Sequence, residues 1–313
     1  MIRRNLARQP RAALNDLSGL DKQDWTRRIM EQAEARGASD RLGSHHFAAF
    51  VQSGPILLVT FETVQGMRSL TETARPLGWQ MSQKMGWSSL LLASDGDTWF
   101  RADEVYAYFD QLVDDGFFDE FERVVFYGAG PCGYAAATYS VTAPGARVLA
   151  VQPQATLDPR VTEWDDRFSE MRRVDFTSRY GYAPDMVEAA QQVHVVYDPD
   201  VALDAMHAAL FTRSNVTKYR MRYMGEALQT HLLFMRRLFP ILQAAAEDRL
   251  DDRFFAGLYR ARRNHLPYLR RLLSKLESLD RPELTRLLCR NVTQRYNAPR
   301  FLRRLRQFED AGT

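Results

Sequence analysis

The residues most able to do chemistry lie in one run, Gly128-Ala129-Gly130-Pro131-Cys132-Gly133. The glycines follow the spacing G-x-G-x-x-G between an apolar run, Val124 to Tyr127, and the small helix-forming residues Ala135 to Ala137. In a strand-turn-helix of this kind the backbone can approach a pyrophosphate, and free N–H groups at the helix N-terminus meet its charge. Gly128, Gly130 and Gly133 are therefore candidate cofactor-binding residues. Cys132 falls in the first turn of the same helix, where the local field lowers a thiol pKa and favours the attacking thiolate. It is a candidate nucleophile or redox thiol, and equally a small side chain fitted at a close strand-helix contact.

Two registers of this turn compete. The first is close to the GAGPAG that opens many flavoproteins and would take FAD, NAD or NADP. Such a turn sits on the first strand of its domain, with an acidic residue for the ribose about 20 residues on. Here two strand candidates come earlier, and the next strand, Arg147 to Val151, runs into Gln152-Pro153-Gln154. The second register resembles the G-x-S-x-G-G-Y-A-A elbow of esterase-like members of the α/β-hydrolase superfamily, with Gly133-Tyr134-Ala135-Ala136 matching its tail. That resemblance covers roughly residues 54 to 240. It puts Gly130 at the nucleophile position and Pro131 where the following residue donates its N–H to the oxyanion. Glycine has no atom to attack with, and proline has no N–H. One lost oxyanion donor costs on the order of a hundredfold or more in rate, and a lost nucleophile removes the covalent route. The resemblance further implies an acid after the strand Val193 to Tyr197, matching Asp198 with Asp200 as second, and a histidine after the last strand. The first available histidine is His231.

The elements that must position these residues alternate. Ile56 to Phe61 and Ser88 to Ala93 are near-continuous apolar runs, as in strands buried on both faces, with helices predicted at Leu77 to Met85 and Val105 to Val113. Glu62 to Met67 corresponds in place to the loop that supplies the second oxyanion donor in hydrolases. Strands at Val124 to Tyr127, Arg147 to Val151, Val193 to Tyr197 and Val216 to Tyr223 follow, with helices after the turn and at Val201 to Phe211 and Glu226 to Leu238. The order calls for an α/β fold, a doubly wound, mostly parallel sheet of the α/β-hydrolase-like kind, with a C-terminal helical appendage. Three regions are expected: an N-terminal helical segment over 1–50, with helices from Asp21 to about Arg36 and near Asp40 to Phe50; the α/β domain over 51–240, with a lid insertion at about 152–192; and a basic helical segment over 241–313. In the lid, arginines such as Arg160, Arg167 and Arg172 alternate with Asp158, Asp165 and Asp175, which predicts salt bridging or an anion site. Asp204 and His207 stand i,i+3 on one helix, within mutual reach. Adjacent His45 and His46 point apart and do not share a metal.

The whole chain sets further bounds. At 313 residues, 45% of them apolar, it can bury an extensive core. The basic start, Met1 to Leu14, lacks the apolar run of a secretory signal, and no stretch is long and apolar enough for a transmembrane helix, so the cytoplasm is the expected compartment. Two cysteines, Cys132 and Cys289, make neither a disulfide framework nor a zinc site. The net charge of +3 hides an asymmetry. Residues 236–313 hold 18 Lys and Arg against 9 Asp and Glu, leaving the rest of the chain acidic. No nucleic-acid-binding motif accompanies that surplus, which points to solvated helix faces, an intramolecular contact or a protein partner on the basic C-terminal helices.

The chain is also similar to bacterial proteins of this length that carry the label phosphoadenosine phosphosulfate reductase. The phosphate loop S-G-G-K-D-S and the E-C-G-x-H cysteine of that family do not occur, and Cys289 lies in Leu288-Cys289-Arg290. The expected function is a hydrolase-fold protein that has lost the serine mechanism and serves as a binding or accessory subunit, in carbohydrate or surface-polymer metabolism. It would need no cofactor and would take a small molecule or glycan above the elbow. The alternatives are a Cys132-dependent hydrolase, transferase or thiol enzyme, and an FAD- or NAD-binding oxidoreductase.

Overall fold

The computed structural model describes residues 16–311, and the basic start expected over Met1 to Leu14 lies outside them. The chain divides into two compact units, Met1–Glu122 and Arg123–Thr313.

In the first unit the strands β1 (Gly37–Leu42), β2 (His46–Val51), β3 (Ile56–Thr63) and β4 (Ser88–Ser94) lie in the order β1-β2-β4-β3. β3 and β4 are parallel, as their apolar runs predict, whereas β2 is antiparallel to both β1 and β4. The helix expected near Asp40 to Phe50 is thus a hairpin. Gly43 turns it with φ +66°, a conformation that ends a helix, and the run Phe47 to Val51 gains more by pairing with β4 than a local helical pattern offers. The preceding helix is as predicted, Lys22–Glu34, capped by the Asp21 carboxylate accepting from the Asp24 N–H at 2.8 Å. It buries Trp25, Ile29 and Ala33, four residues apart on one face. After β3 the expected loop is instead the helix Val64–Leu70, started by Thr63 Oγ1 accepting from the Gly66 N–H at 3.0 Å.

The second unit holds β5 (Arg123–Ala129), β6 (Arg147–Val151), β7 (Gln192–Tyr197) and β8 (Val216–Arg220), all parallel in the order β5-β6-β7-β8. The register pairs Ala129 with Val151, Val151 with Val196 and Tyr197 with Arg220, so the carboxyl ends of the four strands finish level. The turns at Gly130, Gln152, Asp198 and Met221 therefore gather along one edge, where open α/β sheets carry their ligands. The helix Pro131–Tyr139 follows β5 and packs on β5 and β6. The bidentate pair Arg147–Asp248, at 2.7 and 2.9 Å, ties the start of β6 to the turn after the helix Leu238–Ala246.

The C-terminal region is helical, with Pro282–Thr293 and Pro299–Ala311 starting on their prolines and Leu266–Ser278 carrying Pro267 in its first turn. These three helices share a core of Leu269, Leu273, Cys289, Val292 and Phe301. The fold is accordingly α/β, mostly parallel, with a C-terminal helical region. No helix among the described residues is long and apolar enough to cross a membrane.

Candidate functional site

The turn between β5 and its helix bends sharply at Gly130. Gly130 sits at φ +58°, ψ −126°, a region side-chain-bearing residues enter only under strain. A Cβ built on Gly130 meets no atom within 4 Å, so a side chain there would project into open space. Gly128 is different: a Cβ would lie 1.9 Å from the carbonyl oxygen of Cys132. Gly133 is also tight, with a Cβ 3.1 Å from the Val151 carbonyl oxygen. Close approach of helix backbone to strand accounts for both of these glycines without any pyrophosphate. Pro131 occupies the first helical position, where its missing N–H costs the helix nothing. Cys132, next in the helix, is only 6% exposed. The Tyr134 hydroxyl donates to the Tyr180 carbonyl at 2.6 Å, holding the 152–192 segment down on the elbow helix.

Asp198 directly follows β7 and is buried. One oxygen, Oδ2, accepts from the backbone N–H groups of Met224 and Gly225 at 2.7 and 2.6 Å, and Oδ1 accepts from the Asp200 N–H at 2.9 Å. Its charge is therefore met by three amides, and it clamps the turn after β7 to the turn after β8. Asp200 faces Arg222 at 4.0 Å.

His231 lies in the helix Leu228–Phe234. Its Nε2 is 3.1 Å from Nη1 of Arg271, and its Nδ1 is 2.9 Å from Nε2 of His265. A guanidinium only donates, so Nε2 of His231 accepts, its proton sits on Nδ1, and that proton is given to His265. Burial, with His265 and Arg271 as like charges beside it, depresses the imidazole pKa to about 4. The ring is neutral at pH 7, with its one lone pair directed at a cation. Asp198 and His231 both attach to the backbone of Met224, Asp198 through its N–H and His231 through Arg271, which also donates to the Met224 carbonyl. Neither is hydrogen-bonded to the other as an acid is to its histidine in a proton relay.

No family model matches the chain, and no curated protein matches it. Solved structures do. The capsule O-acetyltransferase of Neisseria meningitidis serogroup A is 10% identical, over 64% of this chain and 93% of that one, with a TM-score of 0.42. Carboxyl esterase 2 of the mycorrhizal fungus Tuber melanosporum is 12% identical, over 65% and 81%, with a TM-score of 0.41. MPT51 of Mycobacterium tuberculosis is 12% identical, over 66% and 95%, with a TM-score of 0.42.

A second polar group at the same edge was legible in the sequence only in part. Asp204 and His207 do not bond each other. Asp204 instead accepts from Arg167 and from Gln152, both at 2.7 Å, while His207 Nε2 is 2.9 Å from Asp165. The Ala155 N–H donates to Nδ1 of His207, which puts the ring proton on Nε2 and aims it at Asp165. Burial keeps His207 neutral by lowering its pKa, with the Asp165 carboxylate opposing the shift. Burial also disfavours a charged Asp165, but hydrogen bonds from Arg167 and His207 outweigh it and hold the carboxyl below its ordinary range. Two of the predicted bridges form, Arg160 with Asp158 and Arg167 with Asp165, each at 2.7 Å, whereas Arg172 donates to the backbone carbonyls of Glu163 and Asp165. Sequence reasoning missed Arg271 and His265 altogether. Nothing local marks them, since their partner His231 is 40 and 34 residues away. Among the described residues no group of His, Cys, Asp and Glu is placed to hold a metal ion.

Proposed function

We propose that this chain is an α/β-hydrolase-fold protein without serine-hydrolase chemistry, acting as a binding or accessory subunit. The observation that carries the proposal is Gly130: the backbone keeps the strained angles that present a nucleophile, with open space above, and there is no side chain to present. Pro131 and the engaged lone pair of His231 support it, because an oxyanion donor and a general base are then missing together. Carbohydrate or surface-polymer metabolism, the setting expected from the sequence, remains part of the proposal, as does a cytoplasmic location.

The test is hydrolysis of a panel of aryl esters by the full chain. The expected outcome is no turnover above a protein blank. Turnover that disappears in Gly130→Ala but persists in a surface variant would overturn the proposal. Turnover that is lost in Cys132→Ser would transfer the chemistry to the thiol.

A further inference from the structure

The helix Leu266–Ser278 is amphipathic. Leu269 and Leu273 enter the helical core, while Arg271, Ser274, Lys275 and Ser278 recur at i, i+3, i+4 and i+7 along a polar stripe. That stripe, with Arg270 beside it and Arg300 from the helix Pro299–Ala311, forms one wall of a cleft of about 560 Å³. The other wall is the turn after β7, with Asp198, Asp200 and Val201, and the turn after β8, with Tyr223 and Gly225. Four cations thus face two carboxylates.

The carboxylates are already committed, Asp198 to three backbone N–H groups and Asp200 to the neighbourhood of Arg222. Arg271 is committed to Met224 and His231, and Arg300 to the Ser274 hydroxyl at 2.9 Å. Arg270 and Lys275 are not: among the described residues neither side chain makes a hydrogen bond or ion pair. A cleft of small-molecule size therefore carries two unspent cations, one a planar fork and one a compact ammonium, while the Ser274 and Ser278 hydroxyls on the same wall donate to backbone carbonyls of their own helix.

We propose that this cleft binds a phosphate-bearing small molecule, its phosphate taken by Arg270 and Lys275 and the remainder lying against Val201 and Tyr223. The inference names a ligand class for the binding role proposed above and rests on that reading. Arg and Lys together suit a phosphate, which accepts bidentate and point-charge contacts at once. The site lies over the carboxyl ends of β7 and β8, at the edge where the fold gathers its turns.

The experiment is isothermal titration of the full chain with inorganic pyrophosphate and ribose 5-phosphate, and with citrate as a non-phosphate anion. Both phosphates are expected to bind more tightly than citrate. Arg270→Gln/Lys275→Gln should weaken them by ~10-fold or more, the scale of lost charge-assisted hydrogen bonds. Arg253→Gln, which removes an exposed cation outside the cleft, should leave binding unchanged. Because Arg270 and Lys275 have no partners to lose, the double variant should melt like the parent. Absence of phosphate binding, citrate binding as tight as phosphate, or equal loss in Arg253→Gln would overturn the inference. The ester panel reads the accessory role separately: a chain that hydrolyses esters yet binds phosphate here overturns only that role, and a silent titration overturns only the ligand assignment.

Discussion

Arg271 donates from Nη1 to Nε2 of His231 across 3.1 Å, joining the helix Leu266–Ser278 to the helix Leu228–Phe234. The contact removes the lone pair a general base would use, and the guanidinium helps keep the ring uncharged.

Arg271→Met should release both effects. The His231 imidazole is expected to titrate above its present value of about 4 and still below the ordinary 6.5, because burial and His265 remain. Imidazole NMR across a pH series measures the midpoint, and an unmoved midpoint would mean Arg271 does not act on the ring. Losing the hydrogen bonds to His231 and to the Met224 carbonyl should also cost about 1–2 kcal/mol in urea unfolding.

Gly128 and Gly130 should respond in a fixed order. Gly128→Ala places a Cβ 1.9 Å from backbone, which no rotamer change relieves, so the strand-helix contact must open at a cost of about 3 kcal/mol or more. Gly130→Ala meets no neighbour and bears only the strain of φ +58°, roughly 1–3 kcal/mol. Urea midpoints that rank the two the other way would refute the packing account of Gly128. Gly130→Ser should be as stable as Gly130→Ala and gain no esterase activity, since Pro131 still offers no N–H.

What the sequence could disclose follows from how local each cause is. β6 was readable to the residue because Val148 to Val151 is a continuous apolar run between Arg147 and Gln152-Pro153. β1 was not, because Gly-Ala-Ser-Asp-Arg-Leu has no strand pattern and exists as a strand through its antiparallel pairing with β2. The glycine spacing at the elbow was visible, but spacing alone does not separate a pyrophosphate cradle from a close backbone contact. The contact of Gly128 with the Cys132 carbonyl oxygen is visible only in the fold. Asp198 was placed by its position after β7, whereas its three amide partners come from a turn 26 residues downstream and from its own loop.

Asp198→Asn tests whether that carboxylate is a clamp. Asparagine keeps one oxygen and turns an NH₂ toward a backbone N–H, so donor faces donor in a buried site. Stability should fall by about 2–3 kcal/mol, clearly more than for Asp200→Asn, whose carboxylate is half-exposed. Equal losses in thermal or urea unfolding would remove the special role of Asp198.

His194, in the middle of β7, sets a pH dependence of definite sign. The Tyr219 hydroxyl gives its hydrogen to the Leu250 carbonyl, so at 3.4 Å the His194 Nδ1–H must donate to Tyr219, and Nε2 is left buried with no partner. Burial lowers the imidazole pKa from 6.5 to about 4, with the Asp248 carboxylate opposing the shift. Between those values the unfolded chain takes up a proton that the fold refuses. The stability this group contributes is therefore whole above about pH 6.5 and is lost as pH falls toward 4, on the order of 2–3 kcal/mol. His46 and His231, also depressed to about 4, add the same sign, so the wild-type chain keeps a slope when His194 is removed. His194→Phe should flatten the urea-midpoint profile between pH 7.5 and 4.5 and gain on the wild type as the solution becomes more acidic. Parallel profiles for the two proteins would show that His194 is not held neutral in the fold.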